Sequence, residues 1–102
     1  MAQENAPLGA DVKFIVDVTS PGFDKTTDTF TVTLTRGTTS VTYTKDDMVV
    51  DGEGNYYICF STATFGKGLI TATVTALVPD DDFDDGNRTE IEKFDLLNVV
   101  EL

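Results

Sequence analysis

Hydrophobic and hydroxylated side chains alternate every two residues through much of this chain. The clearest case is the stretch TFTVTLT at 29–35, where Phe30, Val32 and Leu34 alternate with threonines. Successive side chains of a β-strand point to opposite faces, so this pattern predicts a strand with one buried and one solvated face. Threonine suits the solvated face because its β-branch favours extended backbone. The pattern favours an all-β fold.

The same extended pattern predicts further strands at 12–18, 41–43, 56–60, 69–78 and 91–100. Clusters of glycine, proline and aspartate separate them and indicate turns. The segment 56–60 is bulky on both faces, which predicts a central strand. We expect residues 79–90 to form a loop, and the change of phase between Ile91 and Phe94 to mark a β-bulge.

Six or seven short strands with regularly spaced turns predict a two-sheet sandwich. The chain has 102 residues, which is the size of one small domain. We therefore predict an all-β, immunoglobulin-like antiparallel β-sandwich of about seven strands. It is expected to form a single domain at 11–102, preceded by a flexible segment at 1–10.

Acidic residues outnumber basic residues by eighteen to seven, which gives a net charge of −11. Phosphate backbones and anionic lipid surfaces would repel such a surface, so we expect neither a nucleic-acid nor a membrane partner. The charge fits contact with a cationic partner or a divalent metal. No apolar run reaches the roughly 18 residues of a membrane span, and no signal peptide is visible.

The chain contains no histidine, which argues against catalysis. Histidine is the commonest general base, and serine–histidine or cysteine–histidine catalysis requires it. We predict a protein that is not an enzyme, with no catalytic residues and no cofactor. The single cysteine, Cys59, excludes an intramolecular disulfide. We expect Cys59 to be a small buried hydrophobic residue in a strand.

Two acidic segments raise the question of calcium. Oxygen-bearing side chains alternate through 51–55 and through 80–84, as they do at the start of an EF-hand loop. Neither segment continues as an EF-hand, because the sixth position is Tyr56 or Asp85 instead of glycine. We predict no EF-hand metal site. For residues 80–85 two alternatives remain. The segment is either a looser oxygen cage that binds calcium or a solvated acidic loop.

The second acidic segment also suggests a docking surface, because five aspartates surround one aromatic residue, Phe83. An exposed phenylalanine ringed by carboxylates would anchor a partner and steer its approach. The alternative is that Phe83 plugs one end of the sandwich while Arg88 pairs with an aspartate. The candidate docking residues are Asp80, Asp82, Phe83, Asp84, Asp85 and Arg88.

Two further binding surfaces are possible. Tyr56 and Tyr57 are adjacent and suggest an aromatic surface. The open edge of a sandwich sheet can also pair with a strand of a partner, although the sequence does not indicate which edge is free.

Residues 52–90 carry their turns in a recognisable order. Gly54-Asn55-Tyr56 opens a strand, a Gly-Lys-Gly turn at 66–68 precedes a long strand, and that strand leads to Pro79-Asp80. This order resembles the immunoglobulin-like N-terminal domains of phage and prophage tail or baseplate proteins. The segment PDDDFDDGNR at 79–88 is also similar to a pattern in proteins of gut Bacteroides-type bacteria and their phages.

The resemblance implies a structural or adaptor role in a phage or prophage particle, with no catalytic residues to carry over. The partners would be other protein subunits or a second copy of the chain, and the virion component would be made in the bacterial cytoplasm. The alternative is a carbohydrate-binding or adhesion module of a bacterial surface protein, secreted with its leader removed. The absence of tryptophan disfavours that alternative.

Overall fold

The alternating segments form two β-sheets in the computed structural model, which describes residues 4–18, 21–24 and 28–101. The larger sheet has the spatial order β1 (Glu4–Pro7), β8 (Asn87–Val100), β7 (Gly68–Pro79), β3 (Phe30–Arg36) and β4 (Thr39–Tyr43). The smaller sheet has the order β2 (Asp11–Val16), β6 (Tyr56–Ser61) and β5 (Val49–Val50). Short 3-10 turns, η1 (Lys45–Asp47) and η2 (Thr62–Thr64), precede β5 and β7. Within the described ranges, no helix is long and apolar enough to cross a membrane.

The strand order is that of an immunoglobulin sandwich. In such domains strands B, E and D share one sheet and strands C, F and G share the other, with C′ added in the variable type. Here β2, β6 and β5 take the positions of B, E and D, while β8, β7, β3 and β4 take those of G, F, C and C′. The predicted immunoglobulin-like sandwich is confirmed. It has eight described strands instead of about seven, and one pair, β1 with β8, is parallel.

Alternate residues of the facing strands fill the core. The inward row predicted for β3, Phe30, Val32 and Leu34, is buried. The long strand β7 contributes the predicted row Ile70, Ala72, Val74, Ala76 and Val78. From the smaller sheet, Tyr56 packs edge-to-face on Phe30 with ring centroids 5.3 Å apart. Such aromatic pairs add about 0.5–1.5 kcal/mol beyond the area they bury.

Two predicted strand arrangements are confirmed. Strands β3 and β4 form a hairpin in which Leu34 lies opposite Val41. Gly37 supplies the positive φ of its turn, a backbone conformation that glycine adopts without a steric penalty. Strand β6 lies between β2 and β5, which is the central position that its bulky faces predicted.

The loop predicted at 79–90 is shorter than expected. Strand β7 continues to Pro79 and β8 begins at Asn87, so the loop comprises residues 80–86. The residues between Asn87 and Glu90 belong to β8 because they pair with the end of β7, with Arg88 opposite Val78. The polar composition that suggested a loop therefore lies partly on a strand.

The bulge of β8 lies further along the chain than predicted. Consecutive β7 residues Ile70 and Thr71 pair with Leu97 and Asp95, so the extra residue is Leu96 and not one between Ile91 and Phe94. Ile91 lies on the outer face of the sheet and is 66 % exposed. The apparent phase change arose because Ile91 is an outward-facing apolar residue.

Strand β1 lies within the segment 1–10 that was predicted to be flexible and outside the domain. It pairs in parallel with the end of β8, with Glu4 opposite Leu97. The buried hydroxyl of Thr62 donates to the carbonyl of Pro7 at 2.9 Å and accepts from the N–H of Gly9 at 2.8 Å. These bonds attach β1 and the following turn to η2, so the folded domain includes residues before 11.

Candidate functional site

The acidic loop, residues 80–86, joins β7 to β8 and is closed by its own hydrogen bonds. The N–H of Asp80 donates to the carbonyl of Gly86 at 2.9 Å, and the N–H of Gly86 donates to the carbonyl of Phe83 at 2.9 Å. The carboxylate of Asp80 accepts from the N–H of Asp82 at 3.0 Å, as in an Asx turn. The acidic loop therefore has a defined conformation.

Arg88 attaches the acidic loop to the sheet. Its guanidinium lies 2.7 Å from Asp80 Oδ2 and 2.6 Å from Glu90 Oε1. The Nη2 group also donates to the carbonyl of Pro21 at 3.0 Å. A planar guanidinium with several fixed donors suits three partners at once. The predicted pairing of Arg88 with an aspartate is thus present.

These contacts shift the acid–base equilibria of both partners. The bonds from the N–H of Asp82 and from Arg88 hold the pKa of Asp80 below its usual value. Hydrogen bonds to Glu90 and then to Asp80 raise the pKa of Arg88. Asp80 and Arg88 are both candidate docking residues, but their polar groups form bonds within the protein that hold the loop in place.

Phe83 projects from the acidic loop. Its side chain is 48 % exposed and lies outside the buried core cluster. The alternative in which Phe83 plugs one end of the sandwich is therefore wrong. The carboxylates of Asp81, Asp82, Asp84 and Asp85 are exposed as well. The loop displays one aromatic side chain among four acidic ones.

Tyr56 and Tyr57 lie on opposite faces of β6, because successive strand residues point in opposite directions. Tyr56 faces the core, where it contacts Phe30. Tyr57 faces outward, its hydroxyl donates to Asp51 Oδ2 at 2.7 Å, and the Lys13 ammonium lies 4.3 Å from the centroid of its ring. The two tyrosines do not form the shared aromatic surface that their adjacency suggested.

The turn at 51–55 uses its oxygens internally. The Asp51 carboxylate accepts from Tyr57 and from the N–H groups of Glu53 and Asn55 at 2.8 and 2.9 Å. These bonds, led by that of Tyr57, hold the pKa of Asp51 well below its usual range. The same bond to Asp51 raises the pKa of Tyr57. Across the described ranges, no group of three or more acidic or cysteine side chains is arranged to hold a metal ion, at this turn or at 80–85.

Cys59 is exposed, so the prediction that it is a buried hydrophobic residue is wrong. The alternation of β6 places Ile58 and Phe60 in the core and Cys59 on the outer face, opposite Lys13 of β2. A bulky strand conceals this difference in the sequence, because both of its faces look apolar.

One groove was not anticipated from the sequence. It lies between β2 and β8 and is lined by Phe14, Asp17, Val74, Glu92 and Phe94. A signal for it exists in the alternation of β8. The inward positions in the first part of β8 carry charged residues, and those in the second part carry apolar residues. This order indicates that the smaller sheet does not cover the first part of β8.

No protein-family model matches this chain, and neither a curated protein nor a solved structure matches it. The candidate sites rest on the geometry of the chain itself.

Proposed function

We propose that this chain is a non-catalytic protein-binding module that docks on a basic partner surface through the acidic loop. The observation that supports this function best is the exposed Phe83 on a loop closed by its own hydrogen bonds. An aromatic side chain on a preorganised loop loses little conformational freedom on binding. Aromatic residues of this kind dominate the energetics of many protein interfaces.

The partner that fits this loop has an apolar pocket with a rim of lysine or arginine. Burying a phenylalanine side chain contributes about 1.5–3 kcal/mol. The exposed carboxylates around Phe83 would accelerate the encounter and make it depend on salt. Of the candidate docking residues, Phe83, Asp82, Asp84 and Asp85 would contact the partner, whereas Asp80 and Arg88 would hold the loop in shape.

The wider role that we propose is that of a structural or adaptor component of a phage or prophage particle, in its tail or baseplate. The resemblance of residues 52–90 to such domains supports this role. A two-sheet sandwich is also a rigid scaffold on which loops can be presented to neighbouring subunits. The partners would be other subunits of the particle or a second copy of the chain.

A carbohydrate-binding or adhesion role has less support. Sugar platforms need an open aromatic face, and the ring of Tyr57 is covered by Lys13 at 4.3 Å. Phe83 is the exposed aromatic residue that the acidic loop offers, and it stands among carboxylates.

Photo-crosslinking in the cells that produce the protein tests the proposed contact. A photoreactive amino acid at position 83 should capture a basic structural subunit, whereas one at the exposed position of Val49 should not. Phe83→Ala and the paired change Asp82→Asn with Asp84→Asn should each weaken the association by about tenfold or more. Equal capture from both positions, or unchanged association of the variants, would contradict docking through this loop.

The genes around the coding sequence test the wider role separately. Capsid, portal or tail genes nearby would support the particle component. Polysaccharide-utilisation or secretion genes would instead favour the adhesion role, while leaving the contact at Phe83 to be judged by crosslinking.

A further inference from the structure

Strand β4 is an outer strand of the larger sheet and has one free edge. Its other edge pairs with β3 along the whole strand. In the part of the chain that the structure describes, no strand pairs with the free edge, and no main-chain hydrogen bond from a loop reaches it. The turn before β4 and η1 after it both belong to the described residues. An edge of this kind is a template for a further strand.

The turn of the β3–β4 hairpin determines which main-chain groups face the free edge. Gly37 is the first of two turn residues and has a positive φ, which is typical of a type II′ turn. The turn is closed by the pair of Arg36 with Thr39, which exchanges hydrogen bonds. Because hydrogen-bonded pairs alternate along a hairpin, the main-chain N–H and C=O groups of Ser40 and Thr42 point away from β3. They are therefore available to another strand.

The free edge of β4 lacks the features that protect the other outer strands. Strand β1 contains Glu4 and Pro7. Strand β2 contains Asp11 and Lys13, and β5 has only two residues. Charged residues, proline and short length all discourage a further strand from adding to an edge. The sequence TSVTY of β4 has five residues, no charge and no proline, so its edge is suited to pairing.

A second copy of β4 matches this edge in length and in chemistry. Two antiparallel copies overlap over the whole of β4 only when Val41 lies opposite Val41 of the second copy. In that register Ser40 lies opposite Thr42 of the second copy, so the main-chain groups that face the two free edges meet. The two valines would form a non-hydrogen-bonded pair, the kind in which side chains lie closest.

We propose that two copies of this chain pair antiparallel through β4, which joins their five-stranded sheets into one continuous sheet. The main-chain groups of Ser40 and Thr42 bond the two copies together. Val41, which is half-buried against the core of a single chain, is covered further by its counterpart. On the outer face, the hydroxyl of Thr42 lies 3.0 Å from that of Thr33, and this row of hydroxyls continues across the interface. Cross-strand pairs of this kind stabilise a sheet.

The charge of β4 favours a second copy over a basic partner. The segment 37–44 contains no charged residue, so a cationic strand would gain no ion pair with it. Two copies of β4 meet without like charges across the strand pair, which would be destabilising. The net charge of −11 opposes the approach of two copies at longer range, and salt screens this repulsion. The dimer should therefore strengthen with salt, whereas docking through the acidic loop should weaken.

Sedimentation velocity over a series of protein concentrations tests the inference. The full chain should pass from monomer to dimer as the concentration rises, and added sodium chloride should move this transition to lower concentration. The amides of Ser40 and Thr42 should exchange with deuterium more slowly in the dimer than in dilute protein. Phe83→Ala should leave the transition unchanged, because the acidic loop is separate from β4. Either proposal can therefore fail without the other.

Paired charge changes locate the interface. Ser40→Lys with Thr42→Lys places like charges opposite each other and should weaken dimerisation by about tenfold or more. The corresponding glutamate variant should also dimerise poorly, and an equimolar mixture of the two should restore the dimer. Thr71→Lys with Thr75→Lys is the matched control, because it makes the same change of charge on the inner strand β7. It should leave the affinity within about twofold. Circular dichroism melting verifies that each variant is folded.

Disulfide crosslinking tests the register, in a Cys59→Ser background that removes the exposed native thiol. Val41→Cys would lie opposite its counterpart with the two Cα atoms about 4.5 Å apart, which is within the range of a disulfide. Mild oxidation should therefore link the two copies. Ser40→Cys would be a diagonal neighbour of its counterpart at about 7–8 Å, so it should crosslink much more slowly.

Three results would overturn the proposal. The first is a protein that remains monomeric at about millimolar concentration in high salt, where a dimer of millimolar affinity or better would be detected. The second is a dimer whose affinity is the same in the β4 lysine variant as in the β7 control, which would place the interface elsewhere. The third is crosslinking of Val41→Cys and Ser40→Cys at equal rates. If the lysine variant does not fold, the crosslinking rates decide.

Discussion

The guanidinium of Arg88 lies 2.7 Å from a carboxylate oxygen of Asp80, and this pair fixes the acidic loop to the strand that follows it. The same guanidinium reaches Glu90 and the carbonyl of Pro21. One side chain thus connects the acidic loop, the start of β8 and the segment before β3. The geometry of the loop around Phe83 depends on this connection.

Replacing Arg88 should loosen the loop. Arg88→Ala removes all three contacts, and Arg88→Lys keeps the charge but loses the planar fork of donors. We expect the melting temperature to fall in the order wild type, Arg88→Lys, Arg88→Ala, with faster amide hydrogen exchange at 80–86. Lys67→Ala is a matched control because it removes an exposed ion pair to Glu101, and such pairs contribute little. Equal melting of Arg88→Ala and Lys67→Ala would contradict this role.

The hydrogen bond between Tyr57 and Asp51 should be visible in an acid titration. A carboxyl group whose pKa is depressed in the folded state stabilises the fold above its unfolded pKa, about 3.9 for aspartate. That stabilisation is lost as the pH falls through the folded pKa. Tyr57→Phe removes the first cause of the depression, so the pKa of Asp51 should rise and the loss should begin at higher pH.

Carbon-13 NMR of the Asp51 carboxyl group measures this shift directly. Tyr56→Phe is the control, since Tyr56 faces the core and not Asp51. An Asp51 titration that is identical in both variants would show that the Tyr57 hydroxyl does not govern its pKa.

The buried hydroxyl of Thr62 should matter more than its methyl group. Thr62→Val keeps the shape of the side chain but leaves the N–H of Gly9 and the carbonyl of Pro7 without this partner. Both bonds are partly buried, and leaving polar groups unsatisfied costs about 1–3 kcal/mol where water cannot replace the lost partner. Thr62→Ser keeps the hydroxyl and loses one methyl group, which costs about 0.8 kcal/mol. Urea unfolding should therefore rank Thr62→Val as less stable than Thr62→Ser, and the reverse order would show that the hydroxyl does not hold β1 to η2.

Two isoleucines with the same chemistry should differ sharply in their contribution to stability. Ile58 is fully buried and Ile91 is largely exposed. Ile58→Ala should lower the free energy of unfolding by about 2–5 kcal/mol. Ile91→Ala should change it by no more than about 0.5 kcal/mol. Denaturant titration of both variants checks this, and a large loss for Ile91→Ala would mean that β8 turns its other face to the core.

Local alternation alone determined the inward rows of this protein. Phe30, Val32 and Leu34 could be assigned to the core because the direction of a strand side chain depends only on its position in a two-residue repeat. The same rule led to the long strand β7 and, through the order of strands and turns, to the sandwich. A separate signal, the cluster of aspartates around one aromatic residue, drew attention to Phe83 in the acidic loop.

Only the tertiary structure decided which surfaces are covered. The rule of alternation cannot say which face of β6 meets the other sheet, so Cys59 was wrongly predicted to be buried. It did not reveal that β1 pairs with β8, or that the smaller sheet stops short of Glu90 and Glu92. Those features depend on contacts between residues distant in sequence, such as Phe14 with Phe94 and Thr62 with Pro7, which no local pattern encodes.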